Sequence, residues 1–159
     1  MIMESQELDE LLQKKPWFQA LDPAHFQKLI DIATVVSWSE GQEVFDEGNQ
    51  ADLLFLVMEG RVALEMYIPD RGRRTILTVG PDEVFGWSAV VPTSGTRMAS
   101  ARAVTQTIAI AFDSQALRDA CEEDHDLGYF VYRRLSNIIA GRLSATRLQL
   151  IDMYGEGRN

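Results

Sequence analysis

The sequence predicts a mainly β protein, in which an eight-stranded antiparallel jelly roll lies between N-terminal helices and a long C-terminal helix. Between residues 34 and 112, short runs rich in β-branched and aromatic residues alternate with turn signals, a pattern typical of sandwiches and jelly rolls. On both sides of this region the apolar residues recur at helical spacing. The chain has 159 residues, of which 46% are hydrophobic and 25% charged, so we expect one globular domain over residues 1–159.

Residues 1–33 are predicted to form the N-terminal helices. The first helix covers residues 5–14, where leucines share one face, and it ends before Pro16. Asp22 and Pro23 predict the start of the second helix, because a capping carboxylate accepts a backbone N–H and proline suits the first helical position. The apolar face of this helix is assigned to Phe26, Leu29, Ile30 and Ala33.

The jelly roll is assigned to residues 34–112. Its eight strands are predicted at residues 35–38, 44–46, 53–58, 61–67, 74–79, 84–85, 100–105 and 108–112. Glu59-Gly60 marks a tight hairpin turn between two of them. On the strand after this turn, side chains at every second position predict one half-buried face. The two alternating sets are Val62, Leu64 and Met66, and Ala63, Glu65 and Tyr67.

The C-terminal helices are assigned to residues 113–153. Asp113 predicts the cap of a helix over residues 115–121, and a final helix covers residues 126–153. This last helix is longer than one small domain needs to cover its own sheet, although Arg142 interrupts a strict heptad. It therefore either lies on its own domain or pairs with a second copy. Its apolar residues include Phe130, Val131, Leu135, Ile138, Ile139, Leu143, Leu148 and Leu150.

Composition argues against several classes of partner. The net charge of −9 opposes binding to nucleic acid and to an anionic membrane surface. No apolar run reaches the roughly 18 residues of a spanning helix, and the acidic start of the chain lacks the features of a signal peptide. We therefore expect a cytoplasmic protein. Cys121 is the only cysteine, so no intrachain disulfide is expected, and we assign it a packing role.

Catalytic and metal-binding patterns are not evident in the sequence. His25 and His125 are the only histidines, and they lie far apart and outside the predicted strands. Metal enzymes built on jelly-roll sheets usually need two or three clustered histidines. No Ser–His–acid grouping is evident either. We expect a protein that is not an enzyme and that has no metal and no cofactor.

The segment of residues 84–100 is the most informative part of the chain. Val84 and Phe85 close a strand, and Gly86 tolerates a positive φ before a short helical turn. N–H groups at such a turn attract an anion, which the planar fork of Arg97 can neutralise. The pattern therefore indicates a small phosphate site. An ordinary strand–turn–strand with a surface arginine is the alternative.

These residues carry a resemblance to a known family. Phe85-Gly86-x-x-Ala89 followed by Arg97-x-Ala99-Ser100 resembles the phosphate-binding cassette of cyclic nucleotide-binding domains. Residues 40–48 and 54–62 resemble two hairpins of the same family, in its order and roughly its spacing. The resemblance covers about residues 8–150, and it implies the jelly-roll fold.

The resemblance also implies a binding site for a phosphate-bearing small molecule such as cAMP or cGMP. Two positions depart from the family pattern. Trp87 replaces the typical glutamate that accepts a hydrogen bond from the ribose 2′-hydroxyl, and Met98 stands where Ala, Ser or Thr is frequent. We therefore expect weak binding of a cyclic nucleotide. The implied site residues are Phe85, Gly86, Trp87, Ser88, Ala89, Arg97, Met98, Ala99 and Ser100, with Leu64 and Leu77 in the base pocket.

The function implied by the resemblance is that of a non-enzymatic small-molecule sensor or regulatory domain. The long C-terminal helix corresponds to one that lids the pocket and often pairs two subunits in the family, so a homodimer is one expectation. Related transcription factors add a DNA-binding module after this helix, and none is found in this sequence. The alternative function is a structural or protein-interaction module that binds no small molecule because Trp87 fills the pocket. The sequence does not indicate the downstream protein partner.

Overall fold

The computed structural model describes residues 5–91 and 95–156, and it confirms the jelly roll with flanking helices. The loop residue Pro92 and its neighbours Thr93 and Ser94 lie outside the described residues. The helices are α1 (Ser5–Gln13), α2 (Pro23–Asp31), α3 (Ser114–Glu123) and α4 (His125–Glu156), with short 3-10 helices at Pro16–Phe18 and Trp87–Ala89. The strands are β1 (Ala33–Trp38), β2 (Glu43–Phe45), β3 (Leu53–Glu59), β4 (Val62–Ile68), β5 (Gly72–Val79), β6 (Val84–Phe85), β7 (Ser100–Ala103) and β8 (Thr107–Asp113).

The strands form two four-stranded sheets in which all paired neighbours run antiparallel. One sheet has the order β1-β8-β3-β6, and the other has the order β2-β7-β4-β5. Strand β3 is apolar from Leu53 to Met58 because both of its faces are covered there. Leu54 and Leu56 belong to the cluster that includes the helices, whereas Phe55 and Val57 belong to the cluster between the sheets.

The alternation predicted along β4 is wrong, because both faces are buried at the start of the strand, where Val62 and Ala63 are 0% and 2% exposed. Glu65 is also only 5% exposed, while Met66 and Tyr67 are exposed. The ladder with β5 shifts register opposite Leu64 and Glu65, and the extra residue, Ile76, belongs to β5. The buried carboxylate of Glu65 accepts hydrogen bonds from Nε and Nη2 of Arg102, both at 3.0 Å. This guanidinium lowers the pKa of Glu65, which therefore remains ionised despite its burial.

The predicted helix caps are confirmed. The Asp22 carboxylate accepts a hydrogen bond from the backbone N–H of Ala24 at 2.8 Å, and Asp113 accepts one from Ala116 at the same distance. The prediction was wrong for one residue of the apolar face of α2. The helix ends at Asp31, and Ala33 is the first residue of β1.

Helix α4 divides into two parts. Its first part lies on its own domain, where Val131 and Leu135 are buried and Ile138 packs against the same core. Its second part carries exposed apolar residues, with Leu148 at 63% and Ile151 at 64% exposure. Within the described part of the chain no helix, α4 included, has both the length and the apolar character needed to cross a membrane.

Asp124 fastens α2 to the junction between α3 and α4. Its carboxylate accepts a hydrogen bond from Nζ of Lys28 at 2.8 Å and lies 3.0 Å from Nε2 of His25. It also accepts the backbone N–H of Leu127 at 3.2 Å. The hydrogen bond from Lys28 contributes most, followed by the one from Leu127, and together they lower the pKa of Asp124 from 3.8 to about 2.

The lowered pKa of Asp124 predicts an acid-dependent contribution to stability. Its contribution is present above pH 3.8 and is lost as the pH falls through about 2. We expect Asp124→Asn to unfold at lower urea concentration than the wild type at pH 7, with a difference that shrinks between pH 4 and pH 2. Asp152→Asn, the same change at an exposed position of α4, should show no such trend. A difference that is constant with pH would contradict the assignment.

Candidate ligand-binding site

Residues 84–89 form the strand–glycine–turn arrangement that their sequence predicts. Strand β6 pairs with β3, and Phe85 lies opposite Phe55. Gly86 then adopts a φ of +82° and precedes the 3-10 helix Trp87–Ala89. The carbonyl oxygen of Gly86 accepts the N–H of Ala89 at 3.2 Å. The turn thereby directs the chain away from the sheet directly above Phe55.

Arg97 is buried beneath this turn, so the alternative of a surface arginine is wrong. It is only 3% exposed. Its Nη1 donates to the carbonyl of Gly86 at 3.0 Å, and its Nη2 donates to the carbonyl of Leu53 at 2.7 Å. The Arg97 backbone is also fixed, because its N–H donates to Asn49 at 2.7 Å. The guanidinium therefore links the segment to β3 through two charge-assisted hydrogen bonds.

An aromatic cluster supports the guanidinium. The Cζ atom of Arg97 lies 4.0 Å from the ring centroid of Phe45, a distance at which a cation is attracted to the ring face. Phe55 and Phe85 stack with centroids 4.9 Å apart, and Trp38 meets Phe55 edge-on at 5.4 Å. Strands β1, β2, β3 and β6 each contribute one ring. The two sheets thus meet around this cluster.

Burial makes the guanidinium of Arg97 easier to deprotonate. Desolvation lowers the pKa of Arg97 to about 10, while the negative charge of Asp52 acts in the opposite direction. The group remains a cation at neutral pH. Its Nε is buried and has no hydrogen-bond partner among residues 5–91 and 95–156. A buried charged donor without an acceptor is costly, so this N–H favours an anionic ligand.

A cavity of about 90 Å³ adjoins Arg97. Seven of the predicted site residues line it, namely Leu64, Gly86, Trp87, Ser88, Arg97, Met98 and Ala99. Its volume is below the roughly 300–1,000 Å³ of pockets that enclose a drug-sized ligand. Trp87 is partly buried against the helix-side core, and the cavity remains open beside its indole. The site in this form is closer in size to one phosphate group than to a whole nucleotide.

The structure places the other predicted site residues elsewhere. Phe85 lies in the core between the sheets, and Ala89 is buried, with its carbonyl accepting a hydrogen bond from Arg118. Ser100 is engaged in structural contacts, since its Oγ accepts the N–H of Glu47 at 2.8 Å and Nη2 of Arg73 at 2.9 Å. Leu77 lines a neighbouring cavity of about 370 Å³.

Two residues of the cavity wall were missed by the sequence reasoning, Phe45 and Arg142. Phe45 belongs to a hairpin that was recognised for its fold alone. Arg142 was noted only because it interrupts the heptad of α4. The sequence did contain a signal that could have identified Arg142, namely a cationic residue within an apolar stretch of a helix.

Metal-binding and thiol chemistry find no support in the described part of the chain. It contains no group of three or more His, Cys, Asp or Glu side chains that could hold a metal ion. Cys121 is buried, and burial raises the pKa of its thiol to about 11. The thiol is therefore protonated at neutral pH, as a packing residue would be.

Comparison with known proteins agrees with this geometry. A sequence model of the cyclic nucleotide-binding domain family matches residues 35–124. The chain is also 30% identical over 147 residues to the CRP-like cAMP-activated global transcriptional regulator of Mycobacterium tuberculosis, covering 92% of this chain and 63% of that protein. The chain belongs to the cyclic nucleotide-binding domain family. It spans less than two thirds of the length of this curated relative.

Solved structures show the same fold. A cyclic nucleotide-binding domain from Methylobacillus flagellatus superposes with a TM-score of 0.78 at 22% identity, covering 94% of this chain and 83% of that one. The catabolite activator protein of Thermus thermophilus gives a TM-score of 0.70 at 26% identity, covering 87% and 63% of the two chains. The family and the fold predicted from the sequence are thus confirmed.

The contact between Gly86 and Arg97 predicts an unusually large effect of Gly86→Ala. A Cβ at this position would lie 2.8 Å from Nη1 of Arg97 and 3.1 Å from the carbonyl oxygen of Leu53. Gly41 is a matched control, because its φ of +83° is nearly the same and a Cβ added there would meet nothing within 4 Å. We expect Gly41→Ala to lower the free energy of unfolding by about 1–2 kcal/mol. Gly86→Ala should cost about 1–3 kcal/mol more. Equal losses in urea denaturation would show that Arg97 moves freely.

Proposed function

We propose that the chain is a non-enzymatic regulatory domain that binds a phosphate-bearing small molecule, a cyclic nucleotide, through Arg97. The observation that carries this proposal is the buried Nε of Arg97, which has no acceptor in the described part of the chain and adjoins a cavity. The M. tuberculosis relative is described as cAMP-activated, which supports the same ligand class. The net charge of −9 supports a role without direct contact to nucleic acid or to an anionic membrane.

The phosphate is proposed to occupy the cavity beside Gly86 and Trp87. The two Nη atoms of Arg97 remain on the carbonyls of Gly86 and Leu53, which orient the guanidinium without a ligand. Nε then supplies one charge-assisted hydrogen bond, and the backbone N–H groups of Trp87 and Ser88, two residues of the cavity wall, supply neutral ones. Such a site binds and holds an anion. Among the described residues, those that line the cavity include no carboxylate and no histidine that could act as a general acid or base, so we propose binding without catalysis.

Recognition of the ribose is proposed to be absent. The residues that line the cavity include no carboxylate, and Trp87 occupies the position of the family glutamate. The indole N–H can donate a hydrogen bond but offers no acceptor for a 2′-hydroxyl proton. A hydrogen bond to a charged group contributes about 1.5–3 kcal/mol. Its loss weakens a cyclic nucleotide by roughly 10- to 150-fold relative to a complete site.

Calorimetry with cAMP and 2′-deoxy-cAMP tests this proposal. We expect the two nucleotides to bind within about threefold of each other, a gap of under ~1 kcal/mol. Arg97→Ala should abolish binding of both, because the phosphate loses its charged partner. Circular dichroism of each variant checks that the fold is retained. A strong preference for the 2′-hydroxyl in the wild type would show that another residue replaces the glutamate.

Trp87→Glu is the matched control for the missing sugar contact. It should strengthen cAMP by roughly 10- to 150-fold and leave 2′-deoxy-cAMP unchanged, since only the ribonucleotide can donate to the new carboxylate. Binding that survives Arg97→Ala in a folded variant would place the phosphate elsewhere.

A structural or protein-interaction module is the second candidate function. It is favoured by the two carbonyl partners that Arg97 already has and by the small volume of the adjoining cavity. Thermal denaturation separates the two functions. A specific ligand raises the melting temperature by mass action, whereas a module without a ligand does not respond to cyclic mono- or dinucleotides.

We also propose that the second part of α4 pairs two copies of the chain. The support is its set of exposed apolar residues, which a single copy leaves in water: Leu143, Leu148, Leu150, Ile151 and Met153. Leu135 and Ile138 are not part of this surface, because they pack on their own domain.

The double variant Leu148→Glu/Ile151→Glu tests the dimer. Two charges placed in an apolar seam should reduce the sedimenting mass from a dimer to a monomer without unfolding the domain. Tyr67→Glu is the control, because it makes the same kind of change at an exposed position of β4. An unchanged mass in the double variant, or a monomeric wild type, would contradict pairing through this surface.

A further inference from the structure

Arg142 is the second arginine in the wall of the cavity that adjoins Arg97. It lies on α4, and its Nη2 donates to the carbonyl oxygen of Val84. Its Nη1 is buried and has no hydrogen-bond partner in the described structure. Burial lowers the pKa of Arg142, and the negative charge of Glu83 opposes this shift. The cavity is thus lined by two guanidinium groups, each with a buried nitrogen that has no hydrogen-bond partner in the described structure.

Internal contacts do not account for the charge of Arg142. No ion pair joins it to Glu83 within 4.0 Å among the described residues, and Oε1 of Glu83 accepts the N–H of Gly80 at 3.2 Å. A buried cation is stabilised by a nearby anion and by acceptors for its remaining N–H groups.

Arg142 also belongs to the wall of the neighbouring cavity of about 370 Å³, whose lining includes Leu77 and Ile138 and the charged residues Asp82, Glu83 and Arg134. The walls of the two cavities therefore share Arg142. The larger of them falls within the range of volumes that enclose small ligands. A ligand with its first phosphate at Arg97 would meet Arg142 in the wall of the same cavity.

We propose that Arg142 is a second ligand-binding residue, and that the ligand is a nucleotide with two separate phosphate groups, one held by Arg97 and one by Arg142. This inference rests on the proposed function of the site. A single cyclic phosphodiester carries one negative charge, which leaves one of the two guanidinium groups without a counter-charge. A second phosphate supplies that charge and accepts the hydrogen bond from Nη1.

The test compares ligands with one and two phosphates by calorimetry on the full chain. The probes are cAMP, with one phosphate, and cyclic di-AMP and adenosine 3′,5′-bisphosphate, with two at different spacings. In the wild type we expect at least one two-phosphate probe to bind about 10- to 150-fold more tightly than cAMP, the range for one added hydrogen bond to a charged group. Arg142→Gln should reduce this ratio to near one.

Arg147→Gln is the matched control, because Arg147 lies on the same helix, is exposed and lines neither cavity. It should preserve the ratio between the probes. A wild type that binds cAMP at least as tightly as both two-phosphate probes overturns the inference but keeps the proposed function. An equal loss of the ratio in both variants, or none in Arg142→Gln, also overturns it. The wild-type comparison decides the matter if Arg142→Gln does not fold, and a wild type that binds no probe overturns both proposals.

Discussion

The guanidinium of Arg97 holds the turn at Gly86 against β3, and the geometry of the candidate site depends on this contact. Two of its nitrogens are bound by the carbonyls of Gly86 and Leu53, above the ring of Phe45. The contact leaves no space for a side chain at position 86, and the left-handed φ there already favours glycine. Strand β3, Gly86 and Arg97 therefore form one structural unit, in which each part depends on the other two.

The double-sided burial of β3 explains why such a polar centre is tolerated. Leu54 and Leu56 are buried on the helix side and Phe55 and Val57 between the sheets, so the strand contributes to both hydrophobic clusters. The aromatic rings around Arg97 offer their faces to the cation and exclude water from its hydrogen bonds. In this low-dielectric surrounding, each satisfied donor is stronger and each unsatisfied one is more costly.

Much of this arrangement could be predicted because it depends on sequence patterns of a few neighbouring residues. Caps such as Asp22 and Asp113, the turn at Gly86 and the positions of the strands along the chain depend on residues close together in the sequence. The bulge at Ile76 of β5 could not be predicted, since it arises in the pairing of β4 with β5. The role of Arg142 was also hidden, because it depends on where a residue of α4 meets one that lies 58 positions earlier in the chain.

The contact with Val84 gives the binding site a direct connection to α4. Arg142 binds the carbonyl of Val84, and Arg97 binds that of Gly86. Two guanidinium groups from different parts of the chain thus hold two carbonyls that lie only two residues apart. Each has a buried nitrogen without a hydrogen-bond partner among the residues that the structure describes, Nη1 of Arg142 and Nε of Arg97. An anion bound as we propose would therefore displace neither carbonyl and would break none of these contacts. A ligand held by both arginines would also fix α4 relative to β6. The binding energy of the ligand would therefore depend on the position of the helix.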